Sequence, residues 1–171
     1  MTSGRLDEIT GLMARYNVWA NTILTDYVRG LGREITDKEI PGSFTSVNKT
    51  LSHILDAQEV WYQRLQGNSL KDFPGMSRTL RNEELYSALV SSSEAYEELE
   101  QEYSSEQLDE HINYATFAGI SQTSRIYEIL LHVFNHSMYH RGQCITMLRI
   151  AGAVNPPSTD LIRFLRLGDK P

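Results

Sequence analysis

Three of the five histidines in this chain stand at positions 132, 136 and 140, each four residues after the last. On a helix, residues four apart lie one turn apart on the same face. A His-x₃-His pair therefore presents two imidazoles to one point in space, which makes a clamp for a transition-metal ion. Without an ion, two imidazoles stacked near a core each need a hydrogen-bond partner, and they repel if protonated. A shared metal removes both difficulties.

The helical period chooses among the three. Ile126, Leu130, Val133, Cys144 and Leu148 define the inward face of the helix that carries them, at about 100° per residue. His136 and His140 fall on or beside that face, whereas His132 falls at its edge with Tyr139. The predicted pair is thus His136 and His140, and His132 is expected at the rim. His53 lies midway along a different helical pattern, on the flank shared by Ala57, Val60 and Trp61. From there it can face the histidine helix across a groove. Three neutral imidazoles form a facial set with open positions for water or substrate, and zinc and nickel both accept it. A zincin helix would need Glu directly after the first histidine, and a ferritin-like site would need Glu-x-x-His on two helices; this chain has neither. His111, in an irregular stretch, reads as an ordinary hydrogen-bonded histidine.

Long helices must position these groups. Leu6, Ile9, Met13, Tyr16, Ala20, Ile23, Leu24, Tyr27 and Leu31 predict a helix over residues 6–31. Pro41-Gly42-Ser43 marks a turn, and Ser43, Thr45 or Ser46 is placed to cap a second helix over 46–66 that ends at Gly67-Asn68. A loop over 68–80 precedes a third helix over 82–103, with Asn82 as the expected N-cap. Leu85, Leu89, Ser92, Tyr96 and Leu99 form its inner face; Glu94, Glu97, Glu98, Glu100 and Glu102 read as a solvated outer face. Residues 112–119 alternate and then turn, so a short hairpin is expected before the fourth helix over 123–151, capped by Thr123 or Ser124 and stopped by Gly152. Residues 159–167 predict a short C-terminal helix that packs its leucines on the rest. The fold class is therefore all-α, a four-helix bundle with long connections, and bundles of this kind place metal sites between facing helices.

Composition bounds the function. A chain of 171 residues fits one domain, residues 1–171, with a sizeable core. A net charge of −6 argues against general nucleic-acid binding, which needs a basic face. No apolar run is long enough to span a membrane, and the first residues lack the apolar stretch of a secretory signal. With the single cysteine, Cys144, this leads to the expectation of a reducing, cytoplasmic setting.

The stretches Tyr16-Asn17-Val18-Trp19-Ala20-Asn21, His53-Ile54-Leu55-Asp56-Ala57-Gln58-Glu59-Val60-Trp61 and His132-Val133-Phe134-Asn135-His136-Ser137-Met138-Tyr139-His140-Arg141-Gly142-Gln143 resemble the DinB/YfiT-like superfamily of metalloenzymes. His-Arg-Gly-Gln is the most specific piece, and the resemblance runs through the whole chain in order. It implies a four-helix bundle in which His53, His136 and His140 bind a divalent metal, zinc or nickel, and a homodimer acting on a small-molecule substrate. Some relatives are S-transferases or isomerases that use a low-molecular-weight thiol, which favours thiol transfer here. A metal-dependent hydrolase and a non-catalytic, stress-associated metal-binding protein are the alternatives. Tyr139 or Asp56 is expected to orient a ligand imidazole, and Asp56 or Glu59 is the nearest general base. Arg141 and Gln143 are candidates for substrate contact or for tying helix ends. Gly142 costs about 1 kcal/mol against alanine inside a helix, which suggests close approach of a neighbouring backbone.

Overall fold

The structure, a computed structural model, describes residues 6–76 and 80–168. Residues 77–79 of the expected 68–80 loop, and both chain ends, lie outside the described residues. Four long helices carry the architecture: α1 (Leu6–Arg29), α3 (Val47–Leu65), α4 (Asn82–Gln101) and α6 (Ile126–Ala151). Two one-turn helices, α2 (Arg33–Thr36) and α5 (Ser105–Leu108), sit in the connections. A hairpin of β1 (His111–Ala115) and β2 (Ser121–Arg125) precedes α6, and α7 (Leu161–Gly168) ends the described chain. Helix α1 packs on α4 and α6, and α3 packs on the same two, so the order around the bundle is α1, α4, α3, α6. Among the described residues, no helix is long and apolar enough to cross a membrane.

The helix ends follow local chemistry. Ser46 caps α3, its hydroxyl accepting from the Lys49 amide at 3.2 Å. Asn82 is not a cap: α4 starts there, Arg81 is the N-cap, and the Arg81 amide donates to Glu84 at 2.7 Å. Thr123 and Ser124 are not caps either. Their backbone is paired in the hairpin, opposite Asn113 and Ile112, and the Thr123 hydroxyl donates to Asn113 at 2.6 Å. Helix α6 therefore begins later, with the Arg125 amide donating to Glu128 at 2.9 Å. Gly152, at φ +98°, takes the left-handed conformation that ends α6.

The core is two apolar clusters with a polar layer between them. One cluster gathers Leu24, Leu51, Leu55, Leu89, Cys144 and Leu148; the other gathers Ala14, Tyr96, Leu99, Leu130, Val133 and Phe134. Between them every long helix contributes a buried polar side chain: Asn17 and Asn21 from α1, Gln58 from α3, Ser93 from α4, Ser137 and Arg141 from α6. Arg141 donates to Asn17 at 2.7 Å and to Asn21 at 2.9 Å. Asn21 and Gln58 both donate to the Ser93 hydroxyl, at 2.8 and 3.2 Å. These hydrogen bonds offset part of the cost of burying polar groups, while Asn17 Nδ2 and Arg141 Nε and Nη2 have no partner among the described residues.

This layer displaces several expectations drawn from hydropathy. Ile9, assigned to the inner face of the first helix, is 49% exposed. Its neighbour Thr10 is buried instead and donates to Glu100 at 2.6 Å. Glu100 thus leaves the solvated acidic face, and burial raises its pKa. Ser93 rather than Ser92 faces inward on α4. Helix α7 docks through Phe164, whose ring lies 5.5 Å from Trp19 and 5.9 Å from Tyr16; Ile162 and Leu167 stay exposed.

Candidate metal centre

The polar layer fixes where α6 points its histidines. Ser137 and Arg141 are both fully buried, and each follows a histidine by one residue. A step of about 100° from an inward residue puts its predecessor on the flank. That flank is where α6 meets α3. His140 is buried at 6% exposure and His136 is half-buried, while His132 is exposed at the rim. On α3, His53 is half-buried and one turn ahead of buried Ala57.

The three predicted residues come together. His53, His136 and His140 each place a ring nitrogen within 4.8 Å of the others. The Nε2 atoms of His53 and His136 are 3.1 Å apart. Two nitrogens bound to one zinc at about 2.0–2.1 Å would lie about 2.9–3.4 Å apart for angles between square and tetrahedral. The donor set and the His53–His136 spacing therefore fit a divalent ion, and His140 stands close enough to complete the set. Among the described residues, no fourth His, Cys, Asp or Glu joins the group.

Neighbours hold the rings. Gln143 meets His140 Nδ1 at 2.8 Å. With the glutamine carbonyl accepting, the proton sits on Nδ1 and the Nε2 lone pair is left for a ligand position. Gln143 thus orients the His140 ring. Tyr139 is 64% exposed and touches His140 only through its ring, at 5.0 Å. Phe44 stacks on His53 at 4.1 Å and lies edge-on to His140 at 5.5 Å. No periodicity pointed to Phe44, because it stands in the irregular turn ahead of α3. Asp56 lines a cleft beside His53, together with Lys49, Ser52, Phe73 and Met76. A second cleft reaches His136 between His132, Asn135, Met138 and Tyr139.

Burial keeps His53 and His136 unprotonated. It lowers His53 to about 4, helped by the nearby His140. It lowers His136 to about 3, helped by His140, His53 and His132. Both rings are free bases at neutral pH, which is the form that ligates. His132 is lowered as well, first by desolvation against its neighbours and then by the Arg64 charge. Cys144 offers no nucleophile, since full burial pushes its thiol up to about 12. Arg141 is sealed in the polar layer and ties α6 to α1, so of its two expected roles it fills the structural one. Gly142 makes no close backbone approach: it is exposed, with nothing within 4 Å of where a Cβ would stand.

The chain is similar to the protein DinB of Bacillus subtilis (strain 168), with 30% identity over 149 residues, 84% of this chain and 86% of that protein. Residues 4–170 match the DinB family. With a match over nearly its whole length, the chain belongs to the DinB family.

Proposed function

We propose that this chain is a divalent-metal-dependent enzyme that transfers a low-molecular-weight thiol to a small electrophile, with His53, His136 and His140 as the ligands of zinc or nickel. The observation that supports it is the His53–His136 nitrogen spacing of 3.1 Å in a group of three imidazoles with no fourth protein ligand among the described residues. A divalent ion held there would act as a Lewis acid and lower the pKa of a thiol or water at an open position. The chain's own part is to keep His53 and His136 neutral and to hold the rings in place. Burial does the first, and Gln143 and Phe44 do the second. Phe44, Phe73 and Met138 give the approaches an apolar lining that strengthens electrostatic contacts inside. Thiol transfer is preferred over hydrolysis on family grounds.

The test is metal analysis of dialysed protein, followed by assay of the loaded protein with small thiols and electrophiles. One ion per chain, lost in His136→Ala, together with thiol consumption that depends on that ion, is the expected result. Wild-type protein that retains no metal would overturn the reading. A closed four-ligand shell by X-ray absorption would instead establish a purely structural metal.

A further inference from the structure

Arg64 is a charged group without a charged partner. Its side chain is 6% exposed, its Nε is buried with no hydrogen-bond partner, and among the described ion pairs none includes it. Three aromatic rings frame the guanidinium: Trp61 at 4.3 Å, Tyr114 at 5.0 Å and Phe117 at 5.6 Å. Rings stabilise the cation through its face, but they supply no acceptor for its in-plane N–H donors, and Nε has none. Burial accordingly lowers the pKa of Arg64, with Tyr114 opposing. A buried, unpaired guanidinium is costly to keep unless something pairs with it part of the time.

Its position says what that partner is. Two runs of touching rings lead from Arg64 to the histidine cluster. Trp61 packs on His132 at 5.0 Å, and His132 on His136 at 5.9 Å. Phe117 packs on Phe73 at 4.6 Å, and Phe73 on His53 at 6.1 Å. The patch that these two runs bracket has the imidazoles at one end and the Arg64 guanidinium fork at the other. That fork matches a planar carboxylate. We propose that Arg64 is an anion-binding subsite, which takes the carboxylate of a substrate whose other end reaches His53, His136 and His140. Only the placement of that other end rests on the metal-centre reading; the carboxylate contact does not need the metal.

The experiment uses the full chain with Trp19→Phe, which leaves Trp61 as the only tryptophan. Metal-free protein is titrated with mercaptoacetate, mercaptopropionate and mercaptohexanoate, and with their amides, and Trp61 fluorescence is followed. At least one acid is expected to bind about tenfold or more tightly than its amide, as a charged hydrogen bond implies. Arg64→Gln is expected to erase that preference, and Arg64→Lys to keep part of it. Equal binding of acids and amides by the parent protein, which requires no variant to fold, would overturn the proposal. So would an undiminished preference in folded Arg64→Gln. Repeating the titration with cobalt(II) reads the other end: an acid preference without any change in the cobalt spectrum would refute the metal-centre reading and leave the Arg64 subsite standing.

Discussion

Replacing Gln143 with Leu tests whether the histidine cluster is tuned for a metal. The perturbation removes one hydrogen bond, the 2.8 Å contact to His140 Nδ1, from a half-buried side chain. A neutral hydrogen bond of that kind is worth about 1 kcal/mol to the fold. The effect on metal binding should be larger. Without the acceptor, the proton is free to move to Nε2, which closes the lone pair facing the cluster, and the ring gains rotational freedom. Outer-shell partners of ligand histidines are typically worth about 10–100-fold in metal affinity. The low end applies here, because His136 at 4.4 Å and Phe44 at 5.5 Å still confine the His140 ring. The expected loss is therefore about tenfold, or about 1.4 kcal/mol. The assay is competition with a chromophoric chelator at neutral pH, alongside urea unfolding of the metal-free protein. Gln143→Glu restores an acceptor and should bind at least as tightly as wild type. A Leu variant with wild-type affinity, or a Glu variant as weak as the Leu variant, would refute the reasoning.

Three further outcomes follow from the same structure. Arg141→Met strips the buried carboxamide oxygens of Asn17 and Asn21 of their shared donor and should lower stability by about 2–4 kcal/mol; a denaturation midpoint near wild type would count against a clamp. Metal-free protein should lose stability in acid. His53 and His136 are depressed to about 4 and about 3, so the unfolded chain takes up protons near its ordinary value of about 6.5 that the native state refuses. Their contribution is complete above that value and is lost as pH falls through about 4 and then 3, on the order of 1–2 kcal/mol by about pH 5 for His53. His53→Gln should flatten this part of the urea profile, and an unchanged slope would argue against it. Gly142→Ala adds a methyl group to an exposed helical position with nothing within 4 Å and should raise stability by about 1 kcal/mol; a fall in melting temperature would show that the position is covered in solution.

Periodicity was enough to find the four long helices, the hairpin and the inward pair His136 and His140, because one apolar stripe per helix dominates burial. It failed where burial is polar. Thr10, Asn17, Asn21, Ser93 and Glu100 look like surface residues by type, and only their partners on other helices make them core. That information is non-local and no single stripe carries it. Helix starts failed for a related reason: Thr123 and Ser124 have capping side chains, but pairing with β1 had already claimed their backbone. Phe44 and Gln143 were legible only as neighbours of something else. Gln143 lies three residues after His140, a spacing that does predict contact on a helix. Arg64 left no trace in hydropathy, since an arginine near a helix end is ordinarily solvated.

The polar layer also works as a register lock. Sliding α3 along α6 by one turn, about 5.4 Å, would separate Gln58 from the level of Ser93 and carry His53 away from His136. Apolar side chains alone would resist such a slip only weakly, because one leucine contact resembles the next. Hydrogen-bonded groups from all four helices do not permit it. The 3.1 Å spacing between His53 and His136 is therefore inherited from residues that never touch the site. Clefts and hairpin can vary in sequence, and with them the molecules admitted, while the distance between the imidazoles stays fixed.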